Sequence, residues 1–254
     1  MASIEIRDLC YGIGKNDIIK NISFSVKDGE FFALCGPSGA GKTTILRLIT
    51  GELEPKCGDI LLNGKSVIGL PMQERGAILV AQDNQLFPHM TVYENAAFAL
   101  KAKHIPRTEI KKQLDELAVR FRLENHMQHY PHELSGGQKK LAAILRAMAV
   151  QPKVLLLDEP FNGLDNTLHD EIRRFILDLQ KERDLTVVLI THSKEDAFNM
   201  GDRIGFIFNG KLRLCANVSD LYSQTGDDQI DHFLGKIVLL PDGRYVFEDK
   251  ILSN

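Results

Sequence analysis

Two short segments of the sequence contain residue types that handle phosphate groups. The first is glycine-rich, reads Gly-Pro-Ser-Gly-Ala-Gly-Lys-Thr, and occupies residues 36–43. Glycines allow the backbone to wrap a phosphate with several N–H groups turned inward, and a helix that begins there adds its positive end. Lys42 can reach the β- and γ-phosphates of a nucleotide, and the hydroxyl of Thr43 can bind Mg²⁺. We therefore predict nucleotide contacts from Gly36, Pro37, Ser38, Gly39, Ala40, Gly41, Lys42, Thr43 and Thr44.

The second segment is acidic and follows a continuous apolar run. Residues 154–157 are Val-Leu-Leu-Leu, and Asp158 and Glu159 come directly after them. At the end of a buried strand, Asp158 would hold Mg²⁺ through water, and Glu159 would polarise an attacking water as a general base. The alternatives are a glycine turn without a ligand and a carboxylate pair that caps a helix. Because both segments occur in one chain, we favour a P-loop nucleoside triphosphatase.

The elements that must position these segments have different hydrophobic patterns. Residues 3–10 and 18–26 alternate apolar and polar side chains, which indicates half-buried strands of an antiparallel sheet. Residues 31–35 and 186–190 are continuous apolar runs, like 154–157, and fit central strands of a parallel sheet. Helices are predicted at 43–49, after the glycine-rich segment, and at 168–183, between the last two apolar runs.

The middle of the chain contains mainly helical patterns, at 91–103, 107–121 and 138–150, and the end contains two short strands, at 236–240 and 245–248, joined by a turn at 241–243. We predict an α/β fold: a RecA-like P-loop NTPase core with an antiparallel β-subdomain and an inserted helical subdomain. The predicted boundaries are a cassette over 1–229, with its core in 1–85 and 152–229 and the helical subdomain in 86–151, and a short C-terminal β-tail over 230–254.

The bulk composition restricts the partners. The 254 residues carry a net charge of −3, from 31 Lys and Arg against 34 Asp and Glu, so no basic excess indicates a nucleic-acid partner. No apolar run approaches the ~20 residues that span a bilayer, and residues 1–30 carry charges throughout. We expect a cytoplasmic protein whose membrane role comes through a partner. The four cysteines, which lack metal-ligand spacing, are expected to be reduced: Cys10, Cys35, Cys57 and Cys215.

A third segment narrows the class. Residues 134–138 read Leu-Ser-Gly-Gly-Gln, about twenty residues before the acidic strand and at the start of a predicted helix. Alone, this is a turn and a helix N-cap. The segment is identical to the signature motif of ABC ATPases, and the other two segments occur in the order found in that family. The chain resembles the family from about residue 3 to about residue 224. The resemblance implies ATP and Mg²⁺ as ligands and a dimer, in which the second subunit's ATP is contacted by Ser135, Gly136, Gly137 and Gln138.

Other positions of the family are also filled. Tyr11 matches the aromatic residue that stacks on adenine, although a structural tyrosine at a strand end is the alternative. Gln82 matches the glutamine that touches Mg²⁺ and senses the permease, and His192 matches the switch histidine that contacts the γ-phosphate. The resemblance thus implies Glu159, His192 and Gln82 as catalytic residues and Thr43, Gln82 and Asp158 as the metal site. One departure is Leu141, where many relatives have an arginine; we expect it to tune the helix without loss of chemistry.

The stretch 87–92, Phe-Pro-His-Met-Thr-Val, followed by Glu-Asn at 94–95, resembles ATPases of importers for sulfate, molybdate or tungstate, iron, polyamines and sugars. In that group this region receives a helix of the permease, and an apolar floor for it could come from Leu86, Phe87 and Met90; core packing of these residues is the alternative. The resemblance implies an ATPase on the inner face of the cell membrane, bound to a permease and indirectly to a solute-binding protein. An exporter or lipid-handling cassette and a soluble ABC ATPase of DNA repair or translation stay open as alternatives.

Overall fold

Two β-sheets and the helices packed on them build the scaffold. The computed structural model describes residues 3–222, 225–241 and 243–247. The strands are β1 (Ile4–Ile13), β2 (Asn16–Val26), β3 (Phe31–Cys35), β4 (Cys57–Leu62), β5 (Lys65–Ser66), β6 (Ala77–Val80), β7 (Val154–Asp158), β8 (Thr186–Thr191), β9 (Arg203–Phe208), β10 (Lys211–Asn217), β11 (Ile237–Leu239) and β12 (Tyr245–Phe247). The helices are α1 (Lys42–Thr50), α2 (Met72–Arg75), α3 (Val92–Ala102), α4 (Arg107–Arg120), α5 (Gly136–Ala149), α6 (Asn166–Arg183), α7 (Lys194–Met200) and α8 (Asp228–Leu234).

The larger sheet has six strands in the order β10-β9-β3-β8-β7-β6. All neighbours from β9 to β6 are parallel, and β10 closes one edge as an antiparallel partner of β9. Every residue of β3, β7 and β8 is buried, as a parallel sheet covered on both faces requires. The carboxyl ends of β3, β8, β7 and β6 therefore open side by side at one edge of the sheet.

The two faces of this sheet belong to different parts of the core. In β7, Leu155 and Leu157 pack with the buried side chains of α5 and α6. Leu156 points the other way, into the cluster made with α1 and the four-stranded antiparallel sheet β2-β1-β4-β5. The helices α3, α4 and α5 all lie between β6 and β7 in the chain. The structure confirms the predicted α/β fold with its antiparallel sheet, its parallel core and the helices inserted between two strands.

Paired cysteines are one departure from the expected pattern. Cys10 of β1 lies opposite Cys57 of β4 in the strand register, with their Cα atoms 5.1 Å apart, and the two are joined as a disulfide. The prediction of reduced thiols is wrong for this pair, because the antiparallel register places side chains 47 residues apart in the sequence on the same face. Cys35 and Cys215 are free, as predicted.

The C-terminal segment packs on the edge of the core near α7. The predicted strand pair is present as the antiparallel hairpin β11–β12, although Asp242 of its turn and Glu248 lie outside the described residues. Phe247 is buried against Phe198 of α7, with ring centroids 5.2 Å apart. Within the described ranges, no helix combines the length and apolar character needed to cross a membrane.

Candidate nucleotide-binding site

The glycine-rich segment connects β3 to α1 and has a backbone that only glycine accommodates. A Cβ atom at Gly36 would lie 2.1 Å from the carbonyl oxygen of Ile207 in the neighbouring strand β9. Gly41, the N-cap of α1, has φ = 101°, and a Cβ there would lie 2.7 Å from Ile19 Cδ1. These close approaches fix a loop that leads directly into a helix N-terminus, which is an anion-binding arrangement.

Lys42 is the first residue of α1 and is 6% exposed. Its Nζ donates hydrogen bonds to the carbonyl oxygens of Gly36, at 2.7 Å, and Pro37, at 2.9 Å. Burial lowers the pKa of Lys42, and the charges of Glu159 and Asp158 oppose that shift. The ammonium is thus held against the loop backbone, and phosphate oxygens bound in the loop could replace the two carbonyls as its partners.

Three predicted metal-binding residues line one cavity of about 430 Å³: Thr43, Gln82 and Asp158. The Thr43 hydroxyl donates to Asp158 Oδ1 at 3.1 Å. Asp158 is 3% exposed, and burial raises its pKa, whereas the hydrogen bond from Thr43 and the charge of Arg47 lower it. Hydroxyl, amide and carboxylate oxygens are the hard ligands that Mg²⁺ uses beside phosphate, so this donor set fits the ion.

Glu159 and His192 come together at the ends of the neighbouring strands β7 and β8. Asp158 is in register with Ile190, and the Glu159 N–H donates to the Ile190 carbonyl at 3.0 Å. His192 Nδ1 lies 2.8 Å from Glu159 Oε2. Cys35 at the end of β3 pairs with Thr191 at the end of β8. The next residues, Gly36 and His192, therefore lie at adjacent strand ends. The edge of the sheet therefore carries a carboxylate and an imidazole next to the phosphate-binding loop.

Tyr11 lies in β1, in the antiparallel sheet that contacts the glycine-rich loop. Its register partner in β2 is Ile19, which approaches Gly41. The tyrosine is partly buried against the cluster beneath α1. The antiparallel sheet thus brings an aromatic ring to the side of the loop, and the structure leaves its stacking role a prediction.

The signature residues form the N-terminus of α5. The Ser135 hydroxyl accepts from the Gln138 N–H, and the Gln138 side chain accepts from the Ser135 N–H, which completes a capping box. Gly137 packs so closely on Leu168 that a Cβ would lie 2.0 Å from its methyl group. Ser135 and Gly136 are exposed. Among the described residues, no hydrogen bond joins this segment to the glycine-rich loop, so the predicted residues form two separate groups.

The stretch 84–91, between β6 and α3, is held by two side chains that sequence reasoning missed. Asn95 is 1% exposed. Its Oδ1 accepts a hydrogen bond from the Phe87 N–H, and its Nδ2 donates to the carbonyls of Phe87 and Met90. Arg146 of α5 donates to the Gln85 carbonyl and lies over the Phe87 ring. The Glu-Asn pair at 94–95 was visible in the sequence, but its targets are backbone atoms of a loop, which no pattern reveals.

The three apolar residues of this stretch differ in their surroundings. Leu86 packs against the main hydrophobic cluster, whereas Phe87 contacts the exposed Phe98 of α3, with ring centroids 5.1 Å apart. Phe87 and Met90 are both partly exposed. Leu86 is therefore a core-packing residue, whereas Phe87 and Phe98 form an accessible apolar surface.

Comparison with known proteins identifies the family. The family model described as ABC transporter matches residues 19–162. The spermidine/putrescine import ATP-binding protein PotA of Nitrosospira multiformis is 41% identical over 240 residues, which cover 94% of this chain and 66% of that protein. The molybdate/tungstate import ATP-binding protein WtpC of Pyrococcus horikoshii is 40% identical over 217 residues, which cover 85% of this chain and 63% of that protein. The chain thus spans about two thirds of the length of these curated relatives.

A solved structure has the same architecture. The dimeric structure of MJ0796, a bacterial ABC transporter cassette, matches with a TM-score of 0.77 at 30% identity, over 85% of this chain and 98% of that one. A further structure of that cassette is a dimeric post-hydrolysis state bound to ADP and Pi. The family model covers more than half of the 254 residues, and the fold agrees with the solved cassette. The chain therefore belongs to the ABC transporter family.

Proposed function

We propose that this chain binds and hydrolyses ATP and thereby powers solute import through a separate permease, as one subunit of a dimer of cassettes. The observation that carries the proposal is the carboxyl edge of the six-stranded sheet. There the 2.8 Å contact of His192 with Glu159 and the 3.1 Å bond of Thr43 to Asp158 lie beside the loop that begins at Gly36.

ATP binding follows from the loop and its helix. The N–H groups of residues 38–44 and the Lys42 ammonium would bind the phosphates, and Tyr11 would stack on adenine. Thr43, Gln82 and Asp158 would hold Mg²⁺, and this ion, when bound, neutralises charge on the β- and γ-phosphates. The buried ammonium of Lys42 and the oxygen donors in one cavity support this assignment.

Hydrolysis requires a water placed in line with the γ-phosphate and a group that polarises it. Glu159 is the candidate general base, because its carboxylate sits at the strand end that also carries Asp158. His192 can hold that carboxylate in place through Nδ1 and contact the γ-phosphate with the rest of its ring. A positioned general base contributes typically 10²- to 10⁴-fold to a rate.

Dimerisation is proposed because the second group of site residues is exposed at its start and makes no hydrogen bond to the first among the described residues. Ser135 and Gly136 form the exposed N-terminus of α5, where free N–H groups can bind an anion. In a second copy this segment would meet the γ-phosphate bound by the first. The dimeric structures of MJ0796 support the arrangement for this chain.

The import role and the location are proposed from the relatives and from the surface at Phe87. Both named relatives are import ATP-binding proteins, which favours import over export. Phe87 and Met90 would receive a helix of the permease, so that the chain works at the inner face of the cell membrane, with a solute-binding protein as an indirect partner. We also propose the division of the chain into a cassette over 1–229, with a core of 1–85 and 152–229 and a helical subdomain of 86–151, and a short C-terminal β-tail over 230–254.

The test is Glu159→Gln in the full chain. This change keeps the size and polarity of the side chain but removes the base, so we expect Mg-ATP to bind normally and turnover to fall by about 10²-fold or more. A dimer should also accumulate because the bound ATP is not cleaved, and gel filtration or light scattering measures this dimer. Glu109→Gln on the exposed face of α4 is the matched control and should behave as wild type. Near-normal turnover in Glu159→Gln would contradict the proposed chemistry.

A further inference from the structure

Lys140 is a buried lysine that the nucleotide chemistry described above does not use. It lies in α5, one turn after Gly136, where that helix begins, and it is 5% exposed. Ala143 and Ile144, the residues three and four positions further on, are also buried, so Lys140 projects from the apolar face of the helix. A lysine is among the side chains that are least often buried, and it is buried where its ammonium has partners.

The partners of this ammonium are two backbone carbonyls at the edge of the sheet. Lys140 Nζ donates to the carbonyl oxygen of Gln82 at 3.2 Å and to that of Glu159 at 3.3 Å. Gln82 follows β6 and Glu159 follows β7, and these strands pair up to Val80 opposite Leu157. One side chain of α5 therefore joins two neighbouring strand ends, each of which continues into a residue of the candidate site.

The backbone of Glu159 depends on such support. Its φ of 47° lies in the left-handed region, which is uncommon for a residue with a side chain and persists where the surroundings hold it. Its N–H is held by the Ile190 carbonyl at 3.0 Å, and its carbonyl is held by Lys140. This peptide geometry directs the Glu159 carboxylate to His192.

We propose that Lys140 is a positioning residue for ATP hydrolysis: its ammonium fixes the carbonyls of Gln82 and Glu159, and thereby sets the placement of the Glu159 carboxylate relative to α5. The inference rests on the proposed ATPase function. It adds a residue that ties the helix bearing the signature segment to the strand ends bearing the water-polarising and metal-binding groups.

Charge at this position supports the same role. Three carboxylates attract the Lys140 ammonium electrostatically. The effect of Glu159 is the largest, followed by those of Asp158 and Asp83. An apolar side chain would lose the two hydrogen bonds and leave these carboxylates without that compensating charge. An arginine keeps both the charge and the capacity to donate to two carbonyls.

The test is steady-state hydrolysis of Mg-ATP by the full chain carrying Lys140→Met or Lys140→Arg, with Lys139→Met as the matched control on the same helix turn. In Lys140→Met we expect kcat to fall about tenfold or more, because a displacement of about 1 Å at a catalytic group can cost about 100-fold. KM for ATP should change less than about twofold, since the phosphate-binding loop is untouched. Lys140→Arg should recover kcat to within about threefold of wild type, and Lys139→Met should match wild type.

A merely structural role predicts a different pattern. A kcat within about twofold of wild type in a folded Lys140→Met, or equal losses in Lys140→Met and Lys140→Arg, would overturn the proposal. If Lys140→Met fails to fold, Lys140→Gln, which keeps a donor group, is measured and judged by the same limits. Absence of hydrolysis by wild type and Lys139→Met alike contradicts the proposed ATPase function itself, whereas hydrolysis by both without an effect at Lys140 contradicts this inference alone.

Discussion

Replacing Asn95 tests whether one buried amide holds the stretch that we propose as the permease contact. Its Oδ1 accepts from the Phe87 N–H at 2.8 Å, and its Nδ2 donates to the carbonyls of Phe87 at 3.2 Å and Met90 at 3.1 Å. A fourth bond, to the Thr91 carbonyl, stays within the first turn of α3. The first three bonds connect the loop to the helix, and alanine removes all of them.

The magnitude follows from these three bonds. At about 1 kcal/mol for each, Asn95→Ala should lower the free energy of unfolding by about 3 kcal/mol. In a chain of this size that corresponds to a fall in Tm of about 6–12 °C. Asn95→Asp should be worse than Asn95→Ala, although it is nearly isosteric, because it turns a buried carboxylate oxygen toward the carbonyls of Phe87, Met90 and Thr91.

The assay is thermal melting of the full chain with and without Mg-ATP. Asn125→Ala is the matched control, because Asn125 is exposed in the short 3₁₀ helix Glu124–His126 and its removal should change stability by no more than about 0.5 kcal/mol. The gain in Tm on adding Mg-ATP should persist in Asn95→Ala, since none of the Asn95 contacts involves the phosphate-binding loop. A Tm within about 1 °C of wild type for Asn95→Ala, or Asn95→Asp no worse than Asn95→Ala, would refute the reasoning.

Two further predictions concern partners. Phe87→Asp should leave ATP binding unchanged and abolish co-purification with the cognate permease, because a charge buried without a partner weakens an interface by several kcal/mol; it should lower Tm less than Asn95→Ala does, and Val119→Asp, at a side chain 61% exposed on α4, is the control. Normal permease binding by Phe87→Asp would remove this surface from consideration. Mixing Ser135→Arg subunits with Lys42→Ala subunits should restore part of the ATPase activity that each homodimer lacks, because one composite site then carries neither change; mixed dimers that form without any recovery would count against a shared site.

The strands that the sequence predicted best are those with the least ambiguous surroundings. β3, β7 and β8 are buried on both faces, so all positions except Asp158, Thr186 and Thr191 at the ends of β7 and β8 are apolar, and a continuous run marks each strand. Two of the strands that no pattern predicted are short or lie at an edge of the sheet. β6 has four residues, and β10 pairs with β9 alone at the edge of the sheet, where the exposed Lys211 and Arg213 interrupt its partly buried apolar residues.

The order of the strands was also beyond a reading of the sequence. β6 and β7 are neighbours although the whole of α3, α4 and α5 lies between them in the chain. Only this pairing explains why Gln82 and Asp158 line one cavity. Local spacing can predict a phosphate loop, because its chemistry lies within eight consecutive residues, whereas the long-range register depends on how the helical insertion packs.

The same distinction separates the predicted site residues from the missed ones. Lys140 and Asn95 act on backbone carbonyls, which every residue possesses, so their targets leave no mark in the sequence. A signal was present for Lys140 nevertheless. It is a lysine on the face of α5 that also carries Ala143 and Ile144, and a charge on an apolar helix face requires a buried partner.

The first two turns of helix α5 differ in their surroundings. Ser135 and Gly136, at its start, are exposed, whereas Lys140, one turn later, is bound to the strand ends at Gln82 and Glu159. Because a helix is stiff over one turn, a shift of the exposed end must either carry the two carbonyls along or break their bonds to Lys140. In the proposed dimer, the placement of Glu159 in one subunit would thereby be linked to the contact that the N-terminus of α5 makes with the other subunit. Such a dimer would connect the completion of one nucleotide site with the geometry of the next through a single helix, without a change in fold.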